Sequence, residues 1–345
     1  MRNHGFVTQN RGMTIINGIE IDFIQVERDE TRNAIVNNEP LDTVLHVVAV
    51  ISNPCQFARR YILAREFMKR MERENNIRLY FVELAYGDQG FHVTEAKNKR
   101  HLQLRGETPL WHKENMINLG IKKLLPASWK AVAWIDADIE FENSSWALDT
   151  LKVLNGFKDV VQPFSHCVDM NKQRAALGIY PSFGFQYAKQ RAYGGTQINM
   201  WHPGYAWACT RKAYETMGGL YDLSILGSGD HNMSFSFIAK GLKSINELAT
   251  DGYKASVEAF EDRVKNLRLG YVPGVILHHF HGLKKNRKYI ERWHILIDNA
   301  FDPYKHLTKN KDGLLIPTPE CPPKIVNDIL QYFKERNEDE GYAHA

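Results

Sequence analysis

An apolar, β-branched run near the start of the chain constrains its fold more than any other feature. Residues 44–51 read Val-Leu-His-Val-Val-Ala-Val-Ile, the pattern of a strand buried on both faces. Apolar side chains then recur at helical spacing over residues 57–72, and a second strand is predicted over 77–84. A strand, a helix and a strand in this order form a right-handed β-α-β unit. The sequence therefore predicts an α/β fold built on a mostly parallel sheet.

The same alternation continues to about residue 297. The further predicted helices cover residues 113–125, 146–155, 211–217, 232–240 and 287–297. The further predicted strands cover 130–135, 160–163, 205–210 and 269–281, the last being one long strand or a pair. Residues 165–203 lack periodicity, which is typical of a functional loop.

These patterns divide the chain into three parts. We expect a single Rossmann-like domain over residues 42–297, preceded by an N-terminal appendage over 1–41. The appendage carries one or two short strands within residues 15–26. A proline-rich C-terminal tail over 298–345 carries one helix near 325–336.

Composition narrows the functional classes. Lys and Arg number 44 against 40 Asp and Glu, a net charge of +4, and so small a surplus argues against nucleic acid as a partner. The 4 cysteines are far apart and form no Cys-x-x-Cys, which leaves a zinc ribbon or a disulfide scaffold unsupported. No window approaches the roughly 20 apolar residues of a membrane span. We expect a cytoplasmic chain without a transmembrane segment, with peripheral membrane association left open.

Two carboxylates separated by one residue follow the strand predicted over 130–135. Open α/β sheets bind ligands at the carboxyl ends of their strands, which is where Asp136 and Asp138 lie. With no basic residue adjacent in sequence, the two would repel each other unless a cation lay between them. Mn²⁺ and Mg²⁺ prefer such oxygen ligands. An Asp-x-Asp motif alone is equally compatible with two solvated aspartates at a turn.

Three more segments occur around the acid pair. They are Trp-His-Lys-Glu-Asn-Met-Ile-Asn-Leu-Gly at 111–120, a stretch at 203–219 that opens Pro-Gly-Tyr-Ala-Trp, and Gly-Ser-Gly-Asp-His-Asn at 227–232. Together with the acid pair, this ordered set resembles the GT-A fold nucleotide-sugar glycosyltransferases, most of all the β-1,4-galactosyltransferase type. The resemblance implies a metal-dependent, inverting transfer of a sugar from a nucleoside diphosphate, with UDP favoured, to a glycan or other hydroxyl acceptor.

The resemblance also implies roles around the donor. Asp138 would bind the metal that bridges the donor diphosphate, and Asp136 would hold the ribose or share the metal. The other candidates for donor binding follow the first strand or lie in the 111–120 segment: Asn53, Pro54, Arg59 or its neighbour Arg60, Lys113 and Asn115.

A histidine cluster at the end of the last predicted strand offers a further metal ligand. On a strand, His279 and His281 share one face and His278 takes the other. In the galactosyltransferase type a His precedes Lys-Lys-Asn, and this alignment favours His281. Retaining relatives carry the motif His-Phe-x-Gly-x-x-Lys, and this alignment favours His279. We favour His281 as the ligand and keep His279 in reserve. Cations that would hold the diphosphate follow the cluster: Lys284, Lys285 and Arg287.

Asp230 is the candidate catalytic base. The glycines beside it allow a ligand to approach the backbone closely, and the family places its base at the corresponding acid. The alternative is an Asp that only caps the helix predicted to follow. The family has Glu before this Asp where the present chain has Gly229, a departure that bears on acceptor identity. Candidates for acceptor contact are Tyr193, Trp201 and His231.

Other functions stay open on sequence alone. A retaining transferase of the same fold is the first alternative. A Mg²⁺-dependent nucleotidyltransferase or phosphohydrolase also uses paired carboxylates, but it would require a Gly-rich phosphate loop that residues 52–55 do not supply. An inactive sugar-binding module would not need the combination of Asp138, Asp230 and the histidine cluster.

Overall fold

The computed structural model describes residues 29–194 and 199–340, and the backbone of four short strands before them. The strands are β1 (Val7–Gln9), β2 (Thr14–Ile16), β3 (Ile19–Ile21), β4 (Gln25–Glu27), β5 (Leu45–Ser52), β6 (Ile77–Tyr86), β7 (His101–Gly106), β8 (Ala131–Ile135), β9 (Ile139–Phe141), β10 (Val160–Gln162), β11 (His166–Met170), β12 (Ala176–Pro181), β13 (Ala206–Thr210), β14 (Leu269–Tyr271), β15 (Val275–His278), β16 (Leu307–Lys309) and β17 (Leu315–Pro317).

The described residues form eleven α-helices, of which the last follows the last strand. They are α1 (Glu30–Asn37), α2 (Ala58–Met71), α3 (Lys113–Leu124), α4 (Trp146–Leu154), α5 (Phe183–Ala188), α6 (Arg211–Met217), α7 (Gly229–Phe237), α8 (Asp251–Val264), α9 (Trp293–Ile297), α10 (Pro303–His306) and α11 (Pro323–Glu335). Short 3-10 helices cover Gly241–Ser244 and Lys284–Arg287. No helix in the described ranges is long and apolar enough to cross a membrane.

A seven-stranded sheet in the order β14-β10-β13-β8-β5-β6-β7 forms the centre of the fold. Only the two pairings made by β13 are antiparallel, which confirms the predicted α/β fold with a mostly parallel sheet. The chain runs outward from β5 through β6 to β7 and then returns to place β8 on the other side of β5. The carboxyl ends of β5 and β8 therefore meet at a topological switch point, where open α/β sheets bind ligands.

Apolar side chains cover both faces of the central sheet. Val48 of β5 belongs to a core that includes Met116 of α3, whereas Val47 and Ala49 belong to a second core that includes Phe67 of α2. Successive strand residues point to opposite faces. The continuous apolar run of β5 is therefore explained by helices on both sides of the strand.

A glycine lets α3 approach the sheet closely. A Cβ atom at Gly120 would lie 2.8 Å from Cγ2 of Val82 and 2.9 Å from Cγ1 of Val48. We expect Gly120→Val to lower the free energy of unfolding by about 1–3 kcal/mol, because it overpacks this contact. Lys122→Val on the exposed side of α3 controls for the helix propensity of valine. Denaturant unfolding measures both variants, and equal losses would argue against close packing at Gly120.

A second sheet, in the order β12-β11-β15-β9, lies within and beyond the stretch predicted to be irregular. The prediction of a loop over 165–203 is wrong for β11, β12 and α5, and residues 195–198 lie outside the described residues. These strands pair with distant β15 and β9, a signal that local periodicity does not carry. The register places Asp169 opposite His278, and His278 opposite Ile139.

The last part of the chain is more than a covering tail. Ile325, Ile329 and Phe333 of α11 are buried in the same core as α3. Residue Asn115 of α3 accepts a hydrogen bond from the backbone N–H of Leu315 at 3.1 Å. At the other end, the backbone N–H of Leu41 donates to the α4 carbonyl of Leu151 at 3.1 Å. The division at residues 41 and 297 stays a prediction.

Three other element predictions require correction or completion. Of the two readings of residues 269–281, the structure has two strands, and they belong to different sheets. The helix predicted over 287–297 is confined to α9. The sequence analysis also did not predict α8. Of the segment predicted to hold short strands, the structure describes the backbone of β2, β3 and β4, and the rest lies outside the described residues.

Candidate functional site

A cleft of about 1510 Å³ opens at the carboxyl ends of β5 and β8. Ile51 and Ser52 contribute to its wall from β5, and residues 135–138 contribute from the end of β8. Residues far apart in sequence converge on the same cleft: Lys113, Asp169, Asp230, His278 and His281. The cleft therefore lies at the edge of the sheet where the sequence predicts a ligand site.

One carboxylate and two imidazoles come together at one end of the cleft. The Oδ2 atom of Asp138 lies 3.0 Å from Nε2 of His281 and 3.9 Å from Nε2 of His278. The two Nε2 atoms are 3.2 Å apart. Asp138 also has a buried Oδ1 atom without a hydrogen-bond partner. Such a convergent set with an unsatisfied oxygen fits a divalent transition metal, for which imidazole is a better ligand than it is for Mg²⁺.

The electrostatics of this cluster favour a charged Asp138. Burial by itself disfavours the carboxylate, but the nearby His281 and His278 outweigh it and hold the pKa of Asp138 below its usual range. Asp138 is therefore ionised, as a metal ligand must be.

The strand alternation predicted for the histidines is wrong, because β15 ends at His278 and the chain then turns. His278 and His281 consequently face the same carboxylate, and His278 joins a cluster from which sequence reasoning had excluded it. His279 lies apart from that cluster, with its Nε2 atom 3.2 Å from Oε2 of Glu140. The geometry therefore does not support His279 as the alternative metal ligand.

Asp136 has a different partner from Asp138. Its Oδ1 atom forms an ion pair with Nζ of Lys113, the first residue of α3. Burial lowers the pKa of Lys113, but Asp136, Asp230 and Glu114 more than offset this and leave it raised. The acid pair thus has a cationic partner that is remote in sequence, and Asp136 is not part of the cluster around Asp138.

Asp230 lines the cleft from the first turn of α7. The helix begins earlier than predicted and its N-cap is Ser228, so the reading of Asp230 as an N-cap is wrong. The Oδ1 atom of Asp230 accepts a hydrogen bond from the adjacent backbone N–H of His231 at 2.8 Å. A carboxylate that faces the cleft without capping the helix is available to accept a proton from a ligand.

Glu114 is an acidic residue that sequence reasoning missed. A Cβ atom at Gly229 would lie only 2.7 Å from its Oε1 atom, so the carboxyl group of Glu114 fills the space beside Gly229. The pKa of Glu114 is raised to about 8, and burial is the largest cause. Lys113 opposes the shift, and the proximity of Asp230 adds to it.

The raised pKa of Glu114 gives a testable pH dependence. The folded protein keeps a proton that the unfolded chain releases above its ordinary pKa of 4.5, so the free energy of unfolding falls as pH rises toward 8. Gln has no such proton. We expect the stability of Glu114→Gln relative to wild type to grow between pH 5 and 8, by up to about 1.4 kcal/mol per pH unit, and then to level off.

Denaturant unfolding from pH 5 to pH 9 in EDTA measures this difference. The exposed Glu107→Gln on the preceding loop is the matched control, for which a constant difference is expected. A constant difference for Glu114→Gln as well would contradict the assignment.

Several predicted donor-binding residues have structural contacts outside the cleft. Asn53 donates from Nδ2 to the carbonyl of Phe57 at 2.8 Å and accepts from the N–H of Phe57 at 3.0 Å. Pro54 accepts a hydrogen bond from Gln89, and Arg59 donates to the carbonyl of Phe280. Asn115 of α3 accepts a hydrogen bond from the backbone N–H of Leu315 in β17, as described above. These four residues do not line the cleft, whereas Arg60 does.

The cations after the histidines take three different places. Lys284 forms an ion pair with the buried Asp169, and Lys285 is exposed and does not line the cleft. Arg287 lines the cleft, with Nη2 at 2.9 Å from Nδ1 and 3.1 Å from Nε2 of His281. Only Lys284 and Arg287 are therefore placed to meet a ligand.

Aromatic side chains and a buried cation also line the cleft. Tyr193, Trp201 and His231 all line the cleft, and the rings of Tyr193 and Trp201 lie edge to face with centroids 5.9 Å apart. Arg292, missed at the sequence level, is only 8% exposed and donates to the hydroxyls of Ser228 and Tyr332. No carboxylate of the described chain lies within ion-pair distance of it. Buried charges are normally paired, so Arg292 suits an anionic ligand.

Comparison of the sequence with protein-family models and with curated proteins gives no match. Among solved structures, a mannosyltransferase from Pyrobaculum calidifontis in complex with GDP-Man and Mn²⁺ is 12% identical. The match covers 91% of this chain and 82% of that chain, at a TM-score of 0.42. A 4-diphosphocytidyl-2C-methyl-D-erythritol synthase from Anaerococcus prevotii is 11% identical, with coverage of 85% and 96% and a TM-score of 0.32. Neither is a β-1,4-galactosyltransferase, and at these TM-scores neither carries an argument about activity.

Proposed function

We propose that this protein is a metal-dependent glycosyltransferase that transfers a sugar from a nucleoside-diphosphate sugar, with UDP favoured, to a hydroxyl acceptor. The observation that carries the proposal is the convergence of Asp138, His278 and His281 at the switch point of the sheet, with one buried oxygen of Asp138 left unsatisfied. Two imidazoles favour Mn²⁺ over Mg²⁺. A bound metal would neutralise the leaving nucleoside diphosphate.

The cations of the cleft support binding of a diphosphate. Arg292 is buried and lacks a carboxylate partner in the described chain, and Arg60 reaches the same cleft from the start of α2. Guanidinium groups bind phosphate oxygens through paired, charge-assisted hydrogen bonds. The Lys113–Asp136 ion pair adds a polar wall that suits the ribose hydroxyls of a nucleotide.

Asp230 is the proposed general base. It would take the proton of the acceptor hydroxyl as that oxygen attacks the anomeric carbon of the donor, which gives inversion. Tyr193, which is 61% exposed, would offer ring surface for an acceptor sugar, and the buried Trp201 packs edge to face against it. The retaining alternative is based on the His-Phe-x-Gly-x-x-Lys motif and would gain ground if His279 were a metal ligand. Its pairing with Glu140 gives that alternative no support.

Hydrolysis of donors by water tests the proposal before an acceptor is known. Purified protein is incubated with UDP-, GDP- and CMP-sugars, with Mn²⁺ or with EDTA, and release of the nucleotide is measured. We expect slow hydrolysis of a UDP-sugar with Mn²⁺ and none with EDTA. Consumption of a nucleoside triphosphate and a sugar phosphate, with release of pyrophosphate, would instead identify a nucleotidyltransferase.

A further inference from the structure

We propose that Glu338 and Asp169 are positioning residues that orient His281 and His278 for metal binding. The segment 336–340, after α11, is then an integral part of the metal centre. This inference rests on the metal site of the proposed function. It adds residues that lie outside the acid pair, the histidine cluster and every segment that carried the family resemblance.

Each of the two histidines has a buried carboxylate beside its Nδ1 atom. His278 donates from Nδ1 to Oδ1 of Asp169 at 2.8 Å, and Nδ1 of His281 faces Oε2 of Glu338 at 3.4 Å. An ionised carboxylate only accepts hydrogen bonds, so the 2.8 Å contact places a proton on Nδ1 of His278. His281 has a carboxylate at each ring nitrogen, Asp138 at 3.0 Å from Nε2 and Glu338 at 3.4 Å from Nδ1. A metal that takes the Nε2 lone pair would leave the ring proton on Nδ1, facing Glu338. Metal-binding histidines are commonly oriented by such carboxylate partners.

Both carboxylates are held firmly inside the protein. Asp169 is 2% exposed, and it also accepts a hydrogen bond from the hydroxyl of Tyr205 at 2.9 Å. Glu338 is 0% exposed and accepts hydrogen bonds from Nε of Arg336 at 2.7 Å and from Nη1 of Arg60 at 3.1 Å. A carboxylate fixed by guanidinium groups costs less to bury and holds its histidine partner in one orientation.

The neighbouring Asp339 anchors the same segment. Its two carboxylate oxygens accept hydrogen bonds from the backbone N–H groups of Ala58 and Arg59, at 2.9 and 2.8 Å. These groups belong to the first turn of α2, which starts just after the carboxyl end of β5. The segment is thereby joined to the edge of the sheet where the cleft opens.

Metal binding requires Arg287 to move. Its Nη2 atom lies 2.9 Å from Nδ1 and 3.1 Å from Nε2 of His281, so the guanidinium would meet both the Nδ1 proton and a cation bound at Nε2. Its Nη1 atom is already 3.9 Å from Oε1 of Glu338. Glu338 therefore offers Arg287 a nearby anion when it leaves the ring.

Calorimetric titration with Mn²⁺ alone tests the role of Glu338 in the full chain. We expect Glu338→Gln to weaken Mn²⁺ binding by about 10–100-fold, the usual effect of removing an outer carboxylate partner. Glu335→Gln is the matched control, since it makes the same change at an exposed residue that pairs with Lys288 and does not touch His281. We expect its Mn²⁺ affinity to stay within about threefold of wild type, a tolerance well below the outer-partner effect.

A second readout needs no metal. Nitrogen NMR of the histidine rings reports the hydrogen bonding and protonation of each nitrogen, and we expect the Nδ1 signal of His281 to change in Glu338→Gln and to stay as in wild type in Glu335→Gln. If Glu338→Gln does not fold by circular dichroism, Glu338→Asp, which keeps the charge and retracts the carboxylate, is measured in the same two ways.

The outcomes separate the two proposals. Absence of Mn²⁺ binding by wild type would overturn the metal site of the proposed function. Wild-type binding that a folded Glu338 variant leaves unchanged, together with unchanged ring signals, would overturn only the role of Glu338.

Discussion

Replacing Asp138 with Ala is expected to abolish Mn²⁺-dependent binding of UDP while the protein stays folded. Asp138 is the only carboxylate of the described residues that forms a candidate metal cluster with His278 and His281. Loss of a direct ligand should cost more than loss of an outer partner, so we expect the Mn²⁺ affinity to fall by at least about 100-fold. Titration of UDP in the presence of Mn²⁺, and again in EDTA, measures the effect.

Asp136→Asn is the matched control for this variant. Both acids follow β8 and both line the cleft, but Asp136 pairs with Lys113 and lies outside the cluster. We expect the control to keep Mn²⁺ binding and to change only the affinity for the nucleotide. Equal losses of Mn²⁺ affinity in the two variants would restore the sequence-based expectation that both aspartates share the metal. Unchanged UDP binding in Asp138→Ala would remove the proposed site.

Replacing Asp230 with Asn is expected to lower turnover by about 10²–10⁴-fold and to leave donor affinity nearly unchanged. Asn keeps the shape of the side chain but cannot act as a base at neutral pH. Because Ser228 is the N-cap of α7, the substitution should also leave helix stability nearly unchanged. Donor hydrolysis, or transfer once an acceptor is known, measures turnover, and titration with a UDP-sugar measures affinity.

Asp222→Asn is a suitable comparison, since Asp222 forms an ion pair with Lys309 and does not line the cleft. We expect it to keep wild-type turnover. The anomeric configuration of the product, read by NMR, tests the same assignment independently. A retained configuration would remove the proposed role of Asp230, as would an Asp230→Asn variant with wild-type turnover.

The central sheet could be predicted because its signals are local. The run at 44–51 is apolar at every position except His46, since β5 lies between helices on both faces, and α2 and α3 show their apolar stripes within one segment each. The position of Asp138 follows from the same signals, because a buried strand that ends in an acid places that acid at the edge of the sheet. Local patterns of this kind predicted the fold class and one corner of the cleft.

The partners of Asp138 could not be predicted as reliably. The histidine stretch resembles the end of a strand, and the period of two then separates His278 from His281. In the structure β15 ends at His278, because its pairing with β9 and β11 ends there, and the following turn brings His281 back to the same carboxylate. Where a strand ends depends on its neighbours in the sheet, which are remote in sequence.

By itself, the sequence determined the α/β class, the Asp-x-Asp at the end of β8 and the position of Asp230 beside flexible glycines. Only the tertiary structure decided which charges meet: Lys113 with Asp136, Glu114 with the space at Gly229, and Glu338 with His281. Each of these contacts joins elements with no common periodicity, and its energy depends on distance and burial. Both quantities exist only after the sheet and helices have packed, so the chemistry of the cleft is a property of the folded chain.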